Sequence, residues 1–299
     1  MRFLRPAAIV AAVLAGVGVG AWLAGRGGSS PATTPSTAAR PAARFDPSGA
    51  YLVAGRSGDV LVGLAVRSGG PVEVIAVPPD LHVLPAAAVG ARAGGASPKP
   101  TSCGVRCYRF ALPVLDGRPR RLTVTVRGRP VAFRLPPRLP TSAASVFRTA
   151  TRRMAALRSV RIDESLSSGR SAIRARFALE APDRMRYVTT DGGRAVVVGT
   201  TRWDFLDRRW QKSPYQRTRQ PAYMWEGARY PRLLGRERLG GRRVEVVTVF
   251  RPDRDYPAWL RLYVTRQRRI VRAEMIAPAH FMVDRLSAFD RAGPVRRPS

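Results

Sequence analysis

Residues 173–193 read IRARFALEAPDRMRYVTTDGG. Ile173, Ala175, Phe177 and Leu179 alternate with Arg174 and Arg176, and Met185, Tyr187 and Thr189 repeat the pattern after the break at Pro182. Period-two alternation places one set of side chains on a buried face and the other in water, as in a half-exposed β-strand. Asp191-Gly192-Gly193 supplies a hairpin turn. The stretch therefore predicts antiparallel strands laid side by side.

The same pattern extends in both directions. Downstream, Ala195–Thr200, Arg202–Leu206, Val244–Phe250, Trp259–Thr265, Ile270–Ile276 and Phe281–Phe289 read as further strands, with an irregular insertion over Tyr215–Tyr230. Upstream, Phe147, Ala150, Met154 and Leu157 recur at spacings of three and four, the apolar face of an amphipathic helix. That helix starts at a Thr141 or Ser142 cap and ends near Arg158, with Arg148, Arg152 and Arg153 outside. One helix followed by consecutive antiparallel strands, over 141–291, predicts a single curved sheet, a half-barrel covering the helix. A short basic tail, 292–299, follows.

Pro136, Pro137 and Pro140 separate this region from residues 45–138. There the candidate strands are Ala50–Ala54, Val60–Val66, Val72–Val77, Tyr108–Leu112, Leu122–Val126 and Val131–Leu135, and Pro85–Pro100 reads as a long loop. Short strands this dense predict an immunoglobulin-like β-sandwich. The fold class is thus mainly β (α+β).

At the N-terminus Arg2 and Arg5 precede an apolar run, Ala7–Ala24, and Arg26 follows it. Positive charge before an apolar run marks export. Eighteen helical residues span about 27 Å, close to the hydrocarbon thickness. Residues 1–26 are read as a signal or anchor helix; Val19-x-Ala21 is a tolerable cleavage site, but the length favours a retained anchor. Lipoprotein acylation needs a Cys just after the run, and the nearest is Cys103. Residues 27–44, GGSSPATTPSTAARPAAR, read as a disordered tether. Charge asymmetry then places the bulk of the chain outside the cytoplasm.

The 299 residues carry 52 Lys and Arg against 20 Asp and Glu, a net charge of +32. The cations are almost all arginine, scattered rather than gathered in one arm, and an exported chain is separated from nucleic acid. The plain reading of this charge is a positively charged, solvated surface, and attraction to anionic lipid head groups at a membrane surface or to wall polymers is the alternative. Cys103 and Cys107, the two cysteines, predict a local disulfide in an oxidising compartment. A metal site built from them and His82 fits no zinc or copper spacing. Enzyme readings fare no better. His280-x-x-x-Asp284 lacks a nucleophile elbow. Asp253 and Asp255 sit in a turn, Asp163 and Glu164 read as surface charge, and Gly192-Gly193 and Gly240-Gly241 lack a phosphate-loop lysine. The chain reads as non-catalytic, without a cofactor.

Two resemblances sharpen this. CGVRCYRFALPVLDGRPRRLTVTV (103–126) and VAFRLP (131–136), within 51–137, resemble the extracytoplasmic β domain of actinobacterial copper-resistance membrane proteins. This implies a periplasm-like location and a β-sandwich, and a copper-homeostasis accessory as an alternative role. The second half resembles the LolA-like lipoprotein-carrier superfamily. The resemblance rests on the opening helix and first strand, Phe177…Pro182-x-x-Met185-Arg186-Tyr187, Gly199-Thr200-Thr201-Arg202-Trp203 with Arg209-Trp210, Pro257–Val264 and Ile270–Met275. It implies an apolar groove for acyl chains, without fixed catalytic residues, in a carrier or envelope sensor. Burying alkyl chain is worth about 0.8 kcal/mol per CH2, so shape and apolar lining suffice. Candidate lining residues are Phe177, Leu179, Tyr187, Trp203, Phe205, Trp210, Trp225, Leu262, Val264 and Met275. The expected partners are a lipid or acylated protein, an anionic membrane surface and an envelope membrane protein. A purely protein-binding module is the remaining alternative.

Overall fold

The computed structural model describes residues 45–299 except 81, 170 and 253–256. Residues 1–26, expected to be a signal or anchor segment, residues 27–44, expected to be a tether, and the Asp253/Asp255 pair lie outside the described residues. Among the described residues no helix is long and apolar enough to cross a membrane. They form a mainly β structure of three antiparallel sheets and one α-helix.

The N-terminal part has eight strands: β1 (Tyr51–Ser57), β2 (Val60–Val66), β3 (Val72–Val77), β4 (Val89–Ala93), β5 (Thr101–Gly104), β6 (Cys107–Phe110), β7 (Arg120–Val126) and β8 (Arg129–Leu135). They build a five-stranded sheet, β1-β2-β3-β6-β5, and a three-stranded sheet, β4-β7-β8, which share one core. Strand β4 corrects the expectation of a loop over Pro85–Pro100. Its Val89, Ala91 and Ala93 are buried and pair with β7 opposite Val126, Val124 and Leu122. Small alanines bury little area alone, so the pattern shows only once the partner strand supplies the larger side chains.

Strand β2, VLVGLAV, is buried at every position. A continuous apolar run needs cover on both faces. Val60, Val62, Leu64 and Val66 face the core shared by the two sheets. Leu61 and Ala65 face the other way, with Leu52, Ile75 and Val77, onto Phe250 and Trp259 of the C-terminal part. Phe45 meets both rings edge-on, at 5.9 and 6.3 Å. Gly63 is required there, because a Cβ at that position would run into the Trp259 indole.

The C-terminal part opens with α1 (Ala144–Ala155), two residues inside the expected start and three short of the expected end. Ser142 Oγ accepts the Ala144 N–H at 3.3 Å. Ala150 and Met154 are fully buried, and Arg148, Arg152 and Arg153 are exposed. Eleven strands follow: β9 (Ser159–Ser167), β10 (Ala172–Glu180), β11 (Arg184–Thr189), β12 (Arg194–Val198), β13 (Thr201–Leu206), β14 (Arg209–Pro214), β15 (Arg229–Leu239), β16 (Arg242–Arg251), β17 (Ala258–Thr265), β18 (Ile270–Ala277) and β19 (His280–Ser287). They form one sheet in the order β14-β13-β12-β11-β10-β9-β19-β18-β17-β16-β15. Strands β9, β14 and β15 were not anticipated as such; β15 is arginine-rich, and its residues are half-buried or exposed.

Eight contiguous strands, β12 through β16 by way of β9 and β19, send side chains into one apolar cluster with α1. Laid flat, eight strands would spread over roughly 34 Å, which one helix of about 10–12 Å diameter cannot cover. The sheet therefore curves around the helix. Register shifts in β15/β16 and β17/β18 serve that curvature. The edges β14 and β15 do not pair with one another, so the sheet stays open.

Candidate functional site: the interior of the open sheet

The gap between the two edges is spanned by the chain itself. Residues 215–228 run from the end of β14 to the start of β15 without regular strand. Tyr223, Met224 and Trp225 from this segment are buried in the interior cluster. The Tyr223 and Trp225 rings stack at 4.6 Å. Tyr223 Oη donates to the Met154 carbonyl of α1 at 3.0 Å, and Arg251 Nη1 donates to the Met224 carbonyl at 3.2 Å. Burial pushes the Tyr223 phenol up, with the Glu226 and Asp290 charges adding to it. On the helix side, Ala143 N–H donates to Pro231 O at 3.0 Å and Leu233 N–H to Thr141 O at 2.9 Å, which covers edge β15. Helix and spanning segment together roof the interior. Between them lies a cleft of about 390 Å3 bounded by Phe147, Thr151, Arg152 and Ala155 on one side and Pro221, Tyr223, Trp225 and Glu226 on the other. That lies within the roughly 300–1,000 Å3 range of small-molecule sites.

Seven of the ten candidate lining residues meet in this interior: Phe177, Leu179, Tyr187, Trp225, Leu262, Val264 and Met275. Phe177 and Tyr187 are cross-strand partners, their rings 5.5 Å apart. The Tyr187 hydroxyl accepts from Arg202 Nη2 at 3.0 Å, and Arg202 pairs with Asp204 at 2.6 Å. Trp203, Phe205 and Trp210 are placed on the opposite, outer face. Register sets Trp203 against Val196 and Phe205 against Trp210. Trp203 and Trp210 pack with Ala178, Val196 and Val295 of the C-terminal segment, and Phe205 lies edge-on to Trp210. The inward residues of β13 are Arg202 and Asp204, opposite the core residues Val197 and Ala195.

Sequence reasoning missed two buried carboxylates that face the interior. Glu164 is not surface charge. It stands on β9 between Ile162 and Leu166, 8% exposed, and pairs directly with Asp284 of β19, 5% exposed. Their outer neighbours in the row are Ala175 and Ala273. Glu164 Oε1 and Asp284 Oδ1 have no hydrogen-bond partner among the described residues. Burial drives the Glu164 carboxyl up to about 7. Burial, and then the neighbouring Glu164, holds Asp284 well above the usual carboxylate range. The signal was present as an acidic residue at the inward parity of Val160, Ile162 and Leu166. Asp284 is no partner for His280: four strand positions separate them, about 13 Å, and His280 Nδ1 lies 2.9 Å from Pro278 O.

Cys103 and Cys107 form a disulfide, Cα atoms 5.0 Å apart, across the β5–β6 turn. Their sulfurs are therefore committed to each other, and His82 is exposed elsewhere.

No protein-family model and no curated protein matches the chain. Solved structures do match. The lipoprotein LppX of Mycobacterium tuberculosis is 16% identical and covers 51% of this chain and 97% of its own, with a TM-score of 0.40. LprF of Mycobacterium bovis is 10% identical, covering 54% and 99%, with a TM-score of 0.41. A LolA superfamily protein of Nitrosomonas europaea is 13% identical, covering 49% and 92%, with a TM-score of 0.24. Each of these matches spans about half of this chain. The resemblance of residues 51–137 to copper-resistance membrane proteins is unsupported.

Proposed function

We propose that this protein is a non-catalytic, extracytoplasmic envelope protein that holds an acyl chain of a lipid or lipoprotein inside the C-terminal half-barrel, as carrier or sensor. The immunoglobulin-like sandwich buttresses the half-barrel and offers a platform to an envelope partner. The observation that carries this reading is the roof. The sheet is left open along one side, and the opening is closed by an irregular aromatic segment and a helix rather than by further strands. Closed barrels remove their edges by pairing them. An open sheet roofed by Tyr223, Met224 and Trp225 keeps an apolar interior accessible to exchange. These side chains occupy volume of the kind an alkyl chain needs, so swinging the segment aside and admitting a chain keeps the interior dry. A chain of about 14 carbons gains on the order of 11 kcal/mol from burial before the costs of association.

Native mass spectrometry of the protein purified from an envelope without harsh detergent tests this. The expected result is excess mass extracted as lipid by organic solvent. A clean mass both as purified and after incubation with lipid would overturn the reading and leave the protein-binding module in its place.

A further inference from the structure

A second cleft, of about 730 Å3, lies at the end of the half-barrel where the β17–β18 turn and the start of β16 meet the last turn of α1. Its cationic lining is Arg153, Arg242, Arg243, Arg266 and Arg269, and no carboxylate lines it. The side chains of Arg153, Arg242, Arg243 and Arg266 make no hydrogen bond or ion pair among the described residues. Arg269 reaches Asp290 at 3.9 Å. The nearby carboxylates are already engaged: Glu245 pairs with Arg268 and Arg236, and Asp290 Oδ1 accepts the Arg158 N–H at 2.7 Å. Arg153 at a helix C-terminus is accounted for by the helix dipole. Arg242, Arg243 and Arg266, brought to it at the β15–β16 and β17–β18 turns, are not.

Val271 and Phe289 are the apolar residues of its lining. Phe289 carries the Arg269 guanidinium 5.0 Å from its ring centroid and packs against the interior cluster. The last turn of α1 stands between this cleft, at Arg153, and the roof cleft, at Arg152. We propose that the arginine cleft binds the phosphate-bearing head group of an anionic lipid whose acyl chain passes Phe289 into the interior. Guanidinium groups present planar, bidentate donors matched to phosphate oxygens. A site that joins unpaired guanidiniums to an apolar step fits an amphiphile better than a nucleic acid, which would present no chain to Phe289. The proposal rests on the acyl-binding reading and names its ligand class.

The test uses the purified full chain and acyl-labelled phosphatidylglycerol or phosphatidylcholine offered in vesicles. Arg242→Gln/Arg243→Gln/Arg266→Gln is compared with Arg118→Gln/Arg121→Gln/Arg134→Gln, which removes equal charge from exposed positions in the N-terminal part. Near a membrane each arginine is worth roughly fivefold in affinity, so the cleft variant is expected to lose on the order of a hundredfold for phosphatidylglycerol. The control variant and the binding of phosphatidylcholine should change little. Equal losses in both variants would overturn the proposal, as would competition by inorganic phosphate or by a phosphodiester oligonucleotide as strong as that by the lipid. Binding of both lipids without preference removes the head-group site and leaves the acyl reading standing. Binding of neither removes both.

Discussion

Replacing Glu164 by Gln should flatten the dependence of stability on pH. In the folded protein Glu164 titrates near 7, against 4.5 when unfolded. Below about pH 4.5 both states are protonated and the residue costs nothing. Between 4.5 and 7 the unfolded chain releases its proton and the folded one retains it, so the folded state binds more protons and stability falls as pH rises. Above 7 the loss is complete. At 1.36 kcal/mol per pH unit, a rise from 4.5 to about 7 amounts to about 3 kcal/mol from this carboxyl alone. Asp284 adds in the same direction. With Glu164→Gln one member of the pair can no longer ionise, and Asp284 loses its like-charged neighbour. Urea denaturation from pH 4.5 to 9 should show wild-type stability declining by several kcal/mol. The variant should decline less, Asp284 still being held up by its own burial, and be the more stable protein at pH 8. A variant whose stability falls with pH as steeply as the wild type would refute the burial of this pair.

Gly63→Ala places a Cβ against the Trp259 ring, and the rings of Phe45 and Phe250 limit its retreat; denaturant unfolding should show a loss of about 1–3 kcal/mol. Tyr223→Phe removes the hydrogen bond to Met154 O that ties the spanning segment to α1 and should cost about 1 kcal/mol, with faster amide exchange across 215–228. Cys103→Ser/Cys107→Ser opens a short loop and should cost at most about 2 kcal/mol, leaving any lipid bound by the protein in place.

The sheet was legible because inward and outward residues differ in kind where β10 and β11 run: Ile173, Phe177, Leu179, Met185 and Tyr187 against four arginines, Arg174, Arg176, Arg184 and Arg186. Where they do not differ, the pattern fails. In β13 the outward residues are Trp203 and Phe205 and the inward ones Arg202 and Asp204, an inversion that only the register against Val196 and Val197 reveals. Amphipathicity points to the core only if the other face meets water, and here the C-terminal segment covers it. Val295 N–H donates to Glu180 Oε2 at 2.6 Å, and Arg297 lies over the Trp203 ring. Glu164 escaped notice for the opposite reason, because a charge at an inward position contradicts the usual assignment. The edge strand β15 gives little signal, since its pairing on one side only leaves its arginines half in water.

The outer face of the curved sheet is backed unevenly. Along β16, β17 and β18 it is clamped by the N-terminal sheet through Phe250, Trp259 and Ile276. Along β12, β13 and β14, among the described residues, a short C-terminal segment around Val295 lies across it. The two sides, joined along β9 and β19, are thus backed by a whole sheet in one case and by a short C-terminal segment in the other. If the interior takes an acyl chain as proposed, the more thinly backed β12–β14 side is the one expected to bend outward for a chain of greater girth. Trimming the chain before Val295 would then alter which cargo widths are accepted without touching a single interior side chain.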